Sequence, residues 1–301
     1  IIDRAKKHGY YLNKPKRKAH DREVLTNYAG ELIQHDSSYH KWSPYAAEKW
    51  YLITSIDDHS RYMLYAALVK NETSWNHISA LQALFLKHGL PRAVYADSHR
   101  IFRFVQGRDS LWRKHYLTTD EIDTQWKQVL NDCNVKYIPA LSPQAKGKVE
   151  RPYGWLQDHI VRICARENIS DISSARRILN REVYQYNCRR VHSTTGEIPY
   201  FRFQRALKDK RSMFREFVIK PPFQSIKDIF CVRIERTVNA YHKISVNNIE
   251  LQANYAPIGA RVELRVYPNE RTGLAEIRLW HNTKLIGIQT AKINDLKLVH
   301  F

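Results

Sequence analysis

Hydrophobic patterning divides the chain into elements before any chemistry is considered. The stretch GELIQHDSSYHKW (30–42) has the pattern of a strand with Asp36 near its end, and WYLITSIDDHSRYMLYAALV (50–69) that of two apolar strands. The two are joined at a polar turn, Asp57 to Ser60, so a meander of three antiparallel strands is expected. In HISALQALFLKHG the apolar residues Ile78, Leu81, Leu84 and Phe85 recur at helical spacing, and Gly89 with Pro91 supplies the stop. RAVYADSHRIF then reads as a short buried strand ending at Asp97. A right-handed crossover would lay it parallel beside an earlier strand.

Beyond an irregular charged segment at 103–120, a short helix around 123–133 leads into the strand VKYIPA. Ser142, Pro143 and Gly147 mark a loop, after which Val149, Leu156, Ile160 and Ile163 line one face of a helix. Pro152 is expected in the first turn of that helix, where its missing N–H costs little. A second helix over roughly 173–189 packs Ile178, Leu179, Val183 and Tyr186. The stretch 202–227 carries eight basic residues against Asp209 and Glu216, and Pro221 with Pro222 stiffens its end. Short alternating runs follow (FCVRIER, YHKISV, IELQ, RVELRVYP, LAEIRLW, KLIGIQT), the pattern of a small all-β unit of five or six strands, expected as a barrel. The division expected is a basic arm at 1–27, a mixed α/β domain at 28–205, a basic linker at 206–224 and the all-β barrel domain at 225–301.

Composition adds a partner class. Of 301 residues, 49 are Lys or Arg and 30 are Asp or Glu, a net charge of +19, on a chain that is 43% hydrophobic. Such an excess points to a polyanion, and to nucleic acid first, because neutralising phosphates releases condensed counterions. Residues 1–25 alone hold eight basic and three acidic side chains, with Lys16, Arg17 and Lys18 in a run. No apolar run approaches the length of about 18 residues that spans a bilayer. The four cysteines, at 133, 164, 188 and 231, form no CxxC pair, so they read as buried free thiols rather than a zinc knuckle or a disulfide framework.

Three antiparallel strands extended by parallel strands through helical crossovers form the ribonuclease-H-like arrangement, an α/β mixed sheet with helices on both faces. In such a sheet the first strand and the strand after the first crossover lie side by side, so Asp36 and Asp97 face one another and the later helix brings up Glu150. Grouping carboxylates is costly without a cation. Mg²⁺ or Mn²⁺ repays the cost, since hard cations take oxygen ligands, and two ions about 3.5–4 Å apart stabilise the attacking and leaving oxygens of phosphodiester cleavage. At a helix N-terminus the dipole favours ionised Glu150 by about 0.3–1 kcal/mol. Asp57 and Asp58 compete for the role of first carboxylate, but their place in a turn assigns them to backbone geometry.

Several motifs carry a more specific likeness. Residues 30–200 resemble the catalytic core of the retroviral integrase and insertion-sequence transposase superfamily, the DDE polynucleotidyl transferases. The likeness rests on LIQHDSSYHKW, IDDHSRY, HGLPRAVYADSH, SPQAKGKVER and YNCRRVHSTTGEIP. It implies that Asp36, Asp97 and Glu150 hold the divalent ions. It implies also that Gln144, Lys146, Lys148 and Arg151 meet DNA near the site, with the basic runs Lys16, Arg17, Lys18 and Lys208, Lys210, Arg211 along the backbone. Two features depart from the pattern. Asp97 is followed by Ser98 and His99 where Asn-Gly is common, and the Asp97 to Glu150 spacing exceeds that of retroviral members. The activity implied is metal-dependent cleavage at transposon ends and 3′-hydroxyl strand transfer, by a dimer or larger assembly on double-stranded DNA in a bacterial or archaeal cytosol. Two alternatives stay open: a domesticated DNA-binding protein without catalysis, and a ribonuclease-H-like nuclease that does not join. The chain is expected to begin at the end of a helix-turn-helix module.

Overall fold

A computed structural model describes residues 26–96, 124–139, 147–247 and 249–296, with backbone alone at 147–151. The alternation resolves into β1 (Ile33–His40), β2 (Trp50–Asp57) and β3 (Met63–Val69), an antiparallel meander with Asp36 opposite Thr54 and His35 opposite Ser55. Asp36 falls in the middle of β1 rather than near its end, because the ladder with β2 continues to the pair His40 and Trp50.

Helix α1 (Ser74–His88) starts where the Thr73 side chain accepts from the Asn76 N–H, and it stops at Gly89. Gly89 has φ +92°, and a Cβ there would lie 2.5 Å from the Arg215 carbonyl oxygen, so the stop doubles as a contact point. Strand β4 (Ala93–Ala96) pairs parallel with β1, and β5 (Lys136–Pro139) pairs parallel with β4. Between them α2 (Gln125–Asp132) is capped by Thr124. The sheet order is β3-β2-β1-β4-β5.

Helices cover both faces. Residues Ile78, Leu81, Leu84 and Phe85 of α1 and Trp126, Val129 and Leu130 of α2 bury against Ile33 and Val94. On the opposite face, α3 (Gly147–Arg166) and α4 (Ile172–Cys188) set Tyr153, Leu156, Ile160, Ile178 and Leu179 against Leu52, Ile56 and Leu68. Pro152 lies inside α3, not in its first turn: the helix begins at Gly147, a turn earlier than the proline suggests. Its ring removes the bond to the Lys148 carbonyl, a cost that the buried apolar face from Tyr153 onward offsets.

Helix α5 (Pro199–Lys208) runs across the expected boundary at 205/206. The next residues return to the core instead of crossing solvent: Ser212 bridges to Ala29 and Arg215 to Leu90, while the Phe214 ring closes on Gly30, whose φ is +72°. A short helix, α6 (Ile226–Ile229), with a Ser225/Asp228 capping box opens the C-terminal unit.

That unit has six strands: β6 (Val232–Thr237), β7 (Lys243–Val246), β8 (Ile249–Gln252), β9 (Arg261–Asn269), β10 (Leu274–His281) and β11 (Lys284–Lys292). They form a sheet of order β11-β10-β9-β6 and a separate β7-β8 hairpin. Among the described residues no ladder joins the two, so the strand number agrees with expectation and a closed barrel is not formed by hydrogen bonding. The hairpin is tied to β11 by the Gln289 side chain, which accepts from the Gln252 N–H at 3.1 Å and donates to the Gln252 carbonyl at 2.7 Å.

The unit rests on the outer side of α1 and α2. Gln125 exchanges two 2.7 Å hydrogen bonds with the Arg233 backbone, Arg233 pairs with Asp132, Tyr267 packs edge-on against Trp75, and Phe230 meets Phe85. Inside it, buried Asp228 accepts from the Gln224 and Ser225 N–H groups, Arg278 Nε (2.5 Å) and Trp280 Nε1 (3.2 Å). Cys133, Cys164 and Cys231 are buried and Cys188 is half-buried, all as free thiols.

Candidate active site around the first strand

Strand alternation splits β1 into two sets of side chains. Gln34, Asp36 and Ser38 turn to the α3 side, and Ile33, His35 and Ser37 to the α1–α2 side. Asp36 is half-buried. Its cross-strand neighbour Thr54 donates to the Tyr153 hydroxyl of α3 at 2.8 Å, and Gln157, one turn further along α3, donates to Ser38 at 3.2 Å. These two contacts fix which face of α3 meets β1. Position 150 lies three residues before Tyr153 and seven before Gln157, on that same face by the 3.6-residue repeat. Burial, then the negative charge of Asp36, then that of Glu72 hold the Tyr153 hydroxyl well above its ordinary pKa, opposed by the Thr54 bond. Tyr153 is therefore a neutral group beside the carboxylate at neutral pH.

Beside β1 in the sheet, opposite β2, parallel pairing with β4 sets Ile33 level with Val94 and Gln34 level with Tyr95. Strand β4 ends at Ala96, and Asp97 is the next residue in the chain, outside the described residues. Gln144 and Lys146 also lie outside them, as do Lys16, Arg17 and Lys18; Glu150, Lys148 and Arg151 are described by backbone alone, in the first turns of α3. Of the three expected carboxylates the structure thus describes the side chain of Asp36 alone. Among the described residues no group of three or more His, Cys, Asp or Glu side chains gathers to hold a metal.

The competing pair is committed elsewhere. Asp57 is fully buried and accepts from the Gly30 N–H (2.8 Å), the Ser60 N–H (2.9 Å) and the Ser60 hydroxyl (2.5 Å). Burial raises its carboxyl pKa, and these bonds offset only part of the rise. Asp58 accepts from Thr26 and Arg61 at 2.8 Å each and from Gln34. Both carboxylates thus tie the β2–β3 turn to the residues leading into β1.

The second basic run is split in use. Lys208 closes α5 and Lys210 follows it with φ +55°, both exposed, whereas Arg211 donates to the Asn27 carbonyl at 2.7 Å and lies over the Tyr28 ring. Arg211 is therefore a tie to the start of the core.

A buried polar chain behind Asp36 was not read from the sequence. His35 is bonded to Ser55 and to His77, each at 2.8 Å, His77 to Glu72 at 3.1 Å, and Ser37 to Glu72. Burial, then the neighbouring His77, hold His35 well below the ordinary histidine pKa, so it is neutral. Two histidines 42 positions apart leave no local pattern. Register alone would have paired His35 with Ser55.

In sequence the chain is 28% identical over 271 residues to "Putative transposase y4bF" of Sinorhizobium fredii, covering 87% of this chain and 54% of that protein. It is 27% identical over 239 residues to the transposase for insertion sequence IS1202 of Streptococcus pneumoniae, covering 79% and 45%. The chain spans about half the length of these curated relatives. No family model matches it. In structure it resembles a chain of the simian T-cell lymphotropic virus intasome, solved with the PP2A regulatory subunit B56 gamma, at a TM-score of 0.50 and 14% identity, over 93% of this chain and 82% of that one. The strand order, the helices on both faces and the structural likeness converge on a ribonuclease-H-like α/β fold for the core, and in sequence the chain is similar to insertion-sequence transposases.

Proposed function

We propose that this chain is the catalytic part of a DNA transposase that cuts transposon ends and joins the freed 3′-hydroxyls to target DNA. One observation carries the reading: Asp36 stands in the middle of β1, between the end of β4, to which Asp97 is chained, and the face of α3 on which position 150 lies. Asp36, Asp97 and Glu150 would hold the divalent ions. An all-carboxylate donor set fits Mg²⁺ or Mn²⁺, and bound there the ions supply an activated water and charge neutralisation for the oxygen that leaves. In the first step water oxygen bonds to phosphorus as the bond to the 3′-oxygen breaks and that oxygen takes a proton. In the second the 3′-oxygen attacks a target phosphate and displaces a new 3′-hydroxyl.

The chain's own groups orient the parts. Tyr153 and Gln157 dock α3 on β1 and β2, and the neutral Tyr153 hydroxyl adds no charge beside Asp36. Lys146, Lys148, Arg151, Gln144 and the basic runs at 16–18, with Lys208 and Lys210, contact the DNA backbone, which positions the duplex without reading it. Bringing two ends together requires a dimer or larger assembly. None of the described helices is long and apolar enough to cross a membrane.

The test is cleavage and joining of labelled terminal inverted-repeat DNA with Mg²⁺ or Mn²⁺ by the wild type, Asp36→Asn and Glu150→Gln. Both variants are expected to lose activity at unchanged DNA affinity. Either one cutting like the wild type would remove that residue from the site.

A further inference from the structure

The residues on either side of Asp36 in β1, His35 and Ser37, are both tied into one buried network. His35 is 1% exposed and His77 and Ser55 are fully buried, with Trp126 stacked on the His35 ring at 5.6 Å. Ser37 reaches Glu72 directly, and His35 reaches the same carboxylate through His77. The network therefore closes into a loop around the backbone of Asp36: β1 at two points, the residues leading into α1, and β2 through Ser55.

Donor and acceptor inventories show how every bond of the loop can be satisfied at once. An ionised Glu72 only accepts, so the Ser37 hydroxyl and His77 Nε2–H both donate to it. A neutral His77 then has a bare Nδ1, which accepts from His35 Nε2–H at 2.8 Å. That leaves His35 Nδ1 bare to accept the Ser55 hydroxyl, also at 2.8 Å. With both imidazoles neutral the four bonds agree when each carries its proton on Nε2, and a His77 imidazolium satisfies them equally by donating to both Glu72 and His35 Nε2 while His35 Nδ1–H donates to Ser55. A metal site is not formed, because the facing nitrogens are spent on each other. A general base is not formed either, because the chain lies on the face of the sheet away from Asp36.

We propose that the His35–His77–Glu72 chain, closed by Ser37, is a positioning device that clamps β1 on both sides of Asp36 and so presets the first carboxylate for its divalent ion. It rests on the metal-holding role proposed for Asp36. Like charges gathered at the site push the strand apart until the ion arrives, and a buried, satisfied hydrogen-bond loop resists that push where a merely apolar contact would yield. Partners that orient a ligand through other groups are worth about 10–100-fold in metal affinity.

The experiment is Mn²⁺ titration of the whole chain by calorimetry, for the wild type, Asp36→Asn, His77→Leu, His77→Gln and Ser37→Ala, with folding of each followed by thermal melting. Asp36→Asn is expected to abolish binding; wild-type affinity in that variant, or no binding by the wild type, overturns the metal role itself and the clamp with it. With that control intact, His77→Leu and Ser37→Ala are expected to weaken Mn²⁺ about 10-fold. His77→Gln is expected to stay within about threefold, since its amide keeps one acceptor and one donor in the same places. Wild-type affinity in folded His77→Leu, or equal losses for Leu and Gln, overturns the clamp. Should His77→Leu fail to fold, Ser37→Ala decides in its place, together with nitrogen-15 NMR of the wild type. The NMR is expected to show a proton on His77 Nε2 and a hydrogen bond between the two imidazoles; a bare His77 Nε2, or imidazoles not bonded to each other, overturns the proposal.

Discussion

Replacing Tyr153 by Phe tests how α3 is held against the candidate site. The substitution removes one oxygen from a side chain 6% exposed and leaves its packing against Leu156 and the sheet in place. What is lost is the 2.8 Å bond from Thr54, whose hydroxyl is 1% exposed and is left without that acceptor. A stranded buried hydroxyl costs about 1–3 kcal/mol. Thr54→Val fills the same space but strands the buried Tyr153 hydroxyl, a loss of the same size. The double variant Tyr153→Phe/Thr54→Val removes both partners, and its destabilisation should fall below the sum of the singles by about 1 kcal/mol. Urea unfolding of the four proteins at neutral pH measures this, with an unchanged m-value confirming that the two end states are comparable. Strict additivity would show that the contact does not couple α3 to β2. The account of how position 150 is carried to β1 would then fail with it.

Two further outcomes follow from the same geometry. His88 packs among the rings of Tyr62, Phe203 and Phe214, and burial, then Lys87, lower its pKa to about 4. The unfolded chain therefore takes up a proton near pH 6.5 that the folded chain refuses. Stability is complete above that value and lost as pH falls toward about 4, by about 1–2 kcal/mol once partial exposure is allowed for. His88→Phe should flatten the melting temperature over that window; an unchanged slope would refute it. Asp228→Ala leaves the Arg278 guanidinium, 7% exposed, with Glu276 alone, takes the acceptor from Trp280 Nε1 and the Gln224 and Ser225 N–H groups, and should destabilise by about 3–5 kcal/mol, read as a fall in the urea midpoint. A shift under about 1 kcal/mol would remove Asp228 from the centre of the C-terminal unit.

Much of the core was legible because each strand and helix announces itself locally. The period-two runs at 33–40, 50–57 and 63–69 and the apolar stripe of 74–88 each need only a window of neighbours. What sequence could not supply were features made by distant partners. The 206–224 stretch reads as a linker from its charge and prolines, yet Phe214 and Arg215 are drawn onto Gly30 and Gly89, two positions where the absence of a Cβ admits another chain segment. Nothing in either stretch signals the other. The start of α3 was displaced for a similar reason: a local rule places Pro152 at a helix start, while packing of Tyr153, Leu156 and Ile160 extends the helix back to Gly147.

The candidate site joins both kinds of information on one strand. The contacts of Thr54 and Ser38 put Asp36 on the α3 face, and strand alternation hands His35 and Ser37 to the other face. There they look like two polar residues wasted on a core. Only the register with Ser55 and the approach of Glu72 and His77 turn them into a satisfied loop. Polar residues on the buried face of a strand are costly unless fully paired. Their pairing here places hydrogen bonds on the stretch of β1 that carries Asp36, which under the proposed metal role gives the cost a purpose that apolar residues at 35 and 37 would not serve.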